Sequence, residues 1–359
     1  MRGDGAGQGA AAPMLADYDG NRRNNFTSLR ILFAWAVLFG HSFAITGHKE
    51  LNFIRPFFEG SIWIGEIAVS GFFAISGYLV TASFVRRGLL DYTLSRMLRI
   101  YPALVLCVFF SVFALGLAMT SISTAEYLGH AQTWEYLWNS TALFPPTYRL
   151  PGVFEGLPRV GVNGSLWTLP AEISCYIVLA LIGFFGLLRS RFLANLAIIA
   201  VLLFALEHFS HLPMIGRIHR WADPALYFLL GVAFYTNRQS IPLTGRLALL
   251  SVLVFYFGLG EPWFDQVVPV ALVYLIFFIA YRTPYLDVDG RVGDPSYGIY
   301  IYAWPVQQTL VSLFPDEGPY FNTVFATVIT VALAMASWHF LEKPALGLKG
   351  RLLTHGRKA

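Results

Sequence analysis

Of the 359 residues, 56% are hydrophobic and only 13% are charged, where a soluble domain carries roughly 25% charged residues. A chain this apolar cannot cover a water-facing surface, so an ordinary soluble globule is excluded and lipid is the solvent for much of it. The net charge of +4 is small and resides in loops, which gives no footing for a nucleic-acid surface.

The aromatic share, 16%, suits belts of Trp and Tyr at two membrane interfaces. Cys107 and Cys175 both lie inside apolar runs and read as small buried hydrophobes. Their spacing builds neither a disulfide framework nor a zinc site, and no metal is expected.

In chain order, residues 1–24 are rich in Gly and Ala and then carry Arg22 and Arg23. No apolar stretch precedes Phe26, so this is not a cleavable signal peptide but an expected disordered cytoplasmic tail. Apolar runs follow near 27–47, 62–84, 99–119, 165–188, 192–209, 221–236, 243–260, 265–281, 294–313 and 320–341. A bilayer core of about 30 Å needs roughly 20 helical residues, so the pattern predicts an all-α, polytopic transmembrane bundle of about ten helices. It fills one domain, 25–346, and a basic cytoplasmic tail, 347–359, ends the chain.

The basic residues orient the bundle. With the N-terminus inside, 19 of the 25 Lys and Arg fall in inner segments. Lys49, Arg55, Arg149, Arg159, Arg217 and Arg220 fall outside. That bias predicts both termini in the cytoplasm. The only long connection, 120–164, then lies outside. It is nearly uncharged and rich in Tyr, Trp, Pro and Gly, and a loop of this length is usually functional.

Ionisable groups within the spans point to chemistry, because each is expensive to hold in lipid. Arg30 and His41 stand eleven residues apart on the first helix, close to three turns, so they share a face roughly 16 Å apart. His41 alone also admits a second reading, as a structural side chain bonded to a backbone carbonyl. Glu172 favours the reactive reading. Counted from Asn163, it lies roughly 13 Å into the fourth helix at 1.5 Å per residue, near the depth expected for His41. A carboxylate beside an imidazole orients the ring and raises its basicity, the usual arrangement of a general base.

On the second helix, Gly71, Ser76 and Gly77 either let helix backbones approach or line a narrow channel. Arg86, Arg87, Arg96 and Arg99 then cluster before the third helix. Inside-positive topology explains basic residues there, but not Arg four times over. Arg grips phosphates through two bonds, as a coenzyme A donor would require.

Arg30 followed by His41, Phe72-Phe73 with Ser76-Gly77-Tyr78, Arg96 with Arg99-Ile100-Tyr101-Pro102, Ser165-Leu166-Trp167 with Glu172, and Glu342-Lys343-Pro344 occur in one order along the chain. This ordered set resembles the acyltransferase-3 family of membrane O-acyltransferases over residues 26 to 345. The resemblance implies transfer of an acyl group, most often acetyl, from cytoplasmic acyl-CoA to a hydroxyl of a surface or lipid-linked glycan at the cytoplasmic membrane of the cell. It implies Arg30, His41 and Glu172 as catalytic residues, and Arg96, Arg99, Ser76 and Gly77 at the donor.

Trp134, Trp138 and Tyr148 of the long loop, with Trp167 and Tyr300, are the candidates to hold the acceptor, aromatic faces stacking on sugar rings. His41 serves either as base or as a transient acyl carrier. One position departs from the pattern: Ala303 stands where many members carry His, so either Tyr300 or Tyr302 acts nearby or the position only packs. The rival from another class is a transporter or flippase, which would also bury His, Glu and Arg. Such folds are often built from internal repeats, and this sequence shows none.

Overall fold

The computed structural model describes residues 12–52, 63–143, 145–208, 219–259, 261 and 263–355. Arg55 and Arg217, assigned above to the outer side, and the chain ends 1–11 and 356–359 lie outside the described residues. The fold is all-α, as expected. Among the described residues, bridge pairing is limited to Met14 with Pro242 and Thr120 with Val153.

The main helices are α1 (Phe26–Ile45), α2 (Ile64–Phe110), α3 (Ala131–Ala142), α4 (Leu169–Phe184), α5 (Arg191–His208), α6 (His219–Thr236), α7 (Gly245–Gly258), α8 (Phe264–Arg282), α9 (Ser296–Leu313), α10 (Pro319–Ser337) and α11 (Lys343–His355). The ten apolar runs fall on nine of these helices, two of them on α2. The segments Phe26–Ile45, Ile64–Met119, Gly164–Phe184 and Pro319–Arg351 are long and apolar enough to cross a bilayer. Shorter apolar helices make up most of the rest. Large apolar side chains such as Phe192 (74%) and Phe340 (83%) stand exposed on the bundle's outside, the surface lipid would wet.

α2 holds two runs because Gly88 breaks it, with φ 79 and ψ 178. The chain doubles back there, so Phe84 meets Tyr92 with ring centroids 5.2 Å apart and residues 76 and 80 face 96 and 100. Gly77 meets the Phe228 carbonyl of α6, and Gly231 of α6 meets the Ala74 carbonyl. The small residues of this stretch therefore serve a close helix crossing.

α9 runs through the middle of the bundle. Its residues are buried on nearly every side, Gln307 and Gln308 among them. It falls outside the apolar set because its polar groups bond inward: Gln307 donates to the Leu38 carbonyl and to Ser42, and Gln308 to the carbonyls of Arg159 and Gly161.

Helix ends gather at two poles. At the first, the basic pole, Asp19 pairs with Arg86 and Arg238, Tyr18 accepts from Arg282, and Lys349 of α11 pairs with Asp91. The expected disordered tail is therefore folded from residue 12 onward. Leu15 is fully buried, and its N–H donates to the Ile241 carbonyl. At the second pole the 120–164 connection forms a small cap. α3 packs by Tyr136 and Leu137, the Tyr127 hydroxyl donates to the Val112 carbonyl, and the Val162 N–H donates to the Tyr148 carbonyl.

Candidate active site

A cavity of about 160 Å³ lies within the bundle, lined on its polar side by Arg30, Arg96, Arg99, Ser76, Glu172, Tyr176 and Tyr300. The hairpin at Gly88 explains half of this set, because folding α2 back on itself brings Ser76 opposite Arg96. α1 contributes Arg30, α4 contributes Glu172 and Tyr176, and α9 contributes Ser296, Tyr297 and Tyr300.

The three arginines differ in their partners. Arg30 Nη2 lies 2.9 Å and Arg99 Nη2 2.8 Å from the same Asp294 oxygen. Arg99 Nη1 also reaches Glu342, at 3.3 Å, and Glu342 accepts from Ser337. Asp294 precedes α9, outside the spans. Burial alone would push its carboxyl up, but Arg30 and Arg99 outweigh burial and hold it below the usual carboxylate range. Arg96 makes no ion pair among the described residues. Its guanidinium lies 5.8 Å over the Tyr176 ring, and its buried Nε is unpartnered. Arg30 Nε is unpartnered as well, but of the three only Arg96 is without an ion pair, so it has the most donors left for a ligand.

Glu172 and His41 do not meet. Glu172 Oε1 accepts a short hydrogen bond from the Tyr176 hydroxyl, which is itself 2.9 Å from Ser76 Oγ. His41 stands outside the cavity lining, between Trp63 (centroids 5.0 Å apart) and Trp304 (4.7 Å), with its buried Nδ1 unpartnered. The expected dyad is therefore corrected. Counting from Asn163 placed Glu172 too near the outer surface, because the segment before α4 starts inside the protein. Asn163 and Ser165 are fully buried, and Asn163 donates to the Ile301 carbonyl of α9 at 2.9 Å. Glu172 consequently shares the cavity with Arg96 and does not meet His41.

Other expected residues divide in the same way. Ser76 lines the cavity, but Gly77 faces the α6 backbone and cannot touch a donor there. Trp134 and Trp138 stand exposed, one turn apart on α3. Trp134 leans on Phe113, and Phe113 on Phe109. Tyr148 is half-buried against the core, and Trp167 is half-buried. None of these four lines the cavity, whereas Tyr300 does. Ala303 is buried and packs with Leu38, Leu310 and Ala326. Tyr302 donates to Ser337, away from the cavity.

Asp294, Tyr176 and Thr168 enter the site without having been singled out. Tyr176 follows Glu172 by four residues, one turn on the same face, which is a readable signal. Asp294 offered a weaker one, as an acid in a border loop beside an arginine-bearing helix.

A multi-pass α-helical membrane protein with an arginine-lined cavity and a deeper-set histidine is the class that this fold and site define. The sequence profile described as an acyltransferase domain matches residues 23–339, and the chain belongs to that family, the acyltransferase-3 membrane O-acyltransferases. It is 31% identical to an O-acetyl transferase of Shigella phage Sf6, over 90% of this chain and 96% of the relative. It is 27% identical to nodulation protein 10 of Rhizobium leguminosarum bv. viciae, over 94% and 97%. It is 24% identical to the putative peptidoglycan O-acetyltransferase YrhL of Bacillus subtilis (strain 168), over 87% of this chain and 54% of that one. No solved structure matches it. The protein is thus a membrane acyltransferase.

Proposed function

We propose that the protein moves an acetyl group from cytoplasmic acetyl-CoA to a hydroxyl of a glycan presented on the far side of the cytoplasmic membrane. The observation that carries this reading is the cavity at the basic pole, with Arg96 unpaired on its wall. The excess of Lys and Arg at that pole supports placing it in the cytoplasm with both chain ends. The cavity's about 160 Å³ is below the roughly 300 Å³ of a pocket that swallows a small organic ligand whole. It therefore takes the thioester end of the donor, while the nucleotide stays at the mouth.

In this reading Arg96 grips a donor phosphate, and Arg30 and Arg99 are held in place by Asp294. Ser76, Tyr176 and Glu172 form the polar wall along the thioester arm. His41, at the other side of the cavity's end, removes the proton of the acceptor hydroxyl as general base. With the ring layer between the cavity and His41 displaced during turnover, the hydroxyl oxygen bonds to the acyl carbon, the carbon–sulfur bond breaks, and the coenzyme A thiolate takes up a proton. The peptidoglycan O-acetyltransferase and phage O-acetyl transferase relatives support an O-linked product on a glycan. The exposed Trp134 and Trp138, beside the lipid-facing Phe109, suit an acceptor held at the membrane surface.

The test is radiolabelled acetyl-CoA given to inverted membrane vesicles. Label should enter glycan with the wild type and stay in the donor with His41→Ala inserted at equal level. Equal labelling by the two would overturn the assignment.

A further inference from the structure

The cavity ends short of the His41 layer, and two elements, α9 and the segment leading into α4, put that end about one turn away. On α9, Tyr300 lines the cavity and Trp304, four residues on, touches His41. On the segment leading into α4, Thr168 lines the cavity, while Gly164 packs on Trp304. On α2, Val69 and Phe72 line it, while Trp63 touches His41. On α1, Arg30 lines it and His41 lies beyond. Four helical residues span roughly 6 Å, so the thickness between the cavity and the His41 layer is about one side chain.

Tyr300 fills that thickness, and it is fixed on three sides. Its hydroxyl lies 2.7 Å from Thr168 Oγ1 and donates to the Ser165 carbonyl at 3.2 Å. Its ring meets the edge of Phe72, centroids 5.9 Å apart at 70°. Phe72 in turn rests on Phe33. Tyr300 is 7% and Thr168 3% exposed. Arg99 meets Asp294 and Tyr297, on the turn of α9 before Tyr300, so a donor held there points its acyl group at Tyr300.

We infer that Tyr300, latched by Thr168 and backed by Phe72, is the wall that measures the acyl group and limits the donor to short chains. The inference rests on the donor reading above. A pocket wall discriminates by about tenfold or more for each methylene it refuses. An aromatic ring held by two polar contacts and another ring does not yield to an extra two carbons without breaking those contacts.

The test is transfer from acetyl-CoA and from butyryl-CoA by the purified full-length protein in liposomes, with wild type, Tyr300→Leu and Phe72→Ala. Both variants should raise the butyryl-to-acetyl ratio of kcat/KM by at least roughly tenfold. Two variants on different helices guard against one of them failing to fold. Variants that transfer acetyl with the wild-type ratio overturn the inference and leave the donor reading standing. A wild type that moves neither acyl group overturns the donor reading, and the inference falls with it.

Discussion

Arg96 and Arg99 sit one turn apart and do different work. Arg99 is tied to Asp294 and Glu342, with Tyr297 and Trp338 rings 5.9 and 5.4 Å from its guanidinium. Replacing it with Lys leaves buried carboxylates short of partners, so solubilised Arg99→Lys should lose about 3 kcal/mol or more of stability, seen as a lower melting temperature. Arg96→Lys should melt near the wild type but raise the Michaelis constant for acetyl-CoA by roughly tenfold or more, the worth of one charge-assisted contact. The reverse assignment of effects would refute the division.

Asp294 adds a pH dependence. Its folded carboxyl is held below the ordinary value near 4, so its contribution is complete above about pH 4 and is lost as pH falls through the lowered value. The melting-temperature gap between wild type and Asp294→Asn should stay constant from about pH 8 to 5 and close only below about 4. A gap that closes near neutrality would mean that another group controls it. Glu172→Gln, with His41 out of reach, should act on the donor side of the kinetics. Its effect should add to that of a His41 variant, as expected for separated sites, and non-additivity would restore the dyad.

At the scale of helices, two glycines of α2 make opposite demands. Gly77 has ordinary helical backbone but no room, because an added Cβ would collide with the Phe228 carbonyl. Gly88 has open space around it but φ 79 and ψ 178, a conformation that costs an L-residue about 1–3 kcal/mol. Gly77→Ala should therefore separate α2 from α6 and destabilise by about 1–3 kcal/mol. Gly88→Ala should strain the hairpin that sets Ser76 opposite Arg96. Thermal unfolding in detergent measures both, and a neutral Gly77→Ala would deny the close crossing.

These helices also show what the sequence could carry. Every apolar run became a helix, since the demand of lipid for internally bonded backbone leaves little choice. Arg30, Arg96, Arg99, Ser76 and Glu172 were singled out from the sequence, Tyr300 too though for the acceptor, and all six share one cavity. What failed was depth. Counting 1.5 Å per residue from Asn163 assumes that the chain enters at the surface, whereas Asn163 is buried against α9. Pairings across the bundle, such as Asp294 with Arg30 and Arg99, have no local periodicity to announce them. Gly77 was ambiguous because packing and channel lining demand the same small side chain.

For the molecule as a whole, the proposed orientation puts both chain ends in the cytoplasm. Cysteine at exposed Glu135 of α3 should react with an impermeant maleimide in intact cells, and cysteine at Gly347 of α11 only after the cells are opened. Cys107 and Cys175 are both buried and should stay silent in either case. The opposite labelling would invert the proposed orientation. The folded segment 12–24 adds a second whole-molecule feature. Asp19 joins Arg86 of α2 to Arg238 after α6, so Asp19→Ala should loosen that pole. Protease cleavage near residue 20 in opened vesicles would report it, and unchanged resistance would show that apolar docking by Leu15 suffices.

The ring layer between the cavity and His41 bears on the energetics of the membrane itself. Arginines, carboxylates and hydroxyls on one side and a histidine on the other come close to forming a continuous polar thread through the bilayer. Such a thread would conduct protons and discharge the gradient on which the cell depends. Tyr300, Phe72 and Trp304 interrupt it with a layer about one aromatic ring thick. On this view the layer is electrical insulation. Under the proposed mechanism the rings part only as the acyl group is transferred, and the membrane stays tight to ions between turnovers.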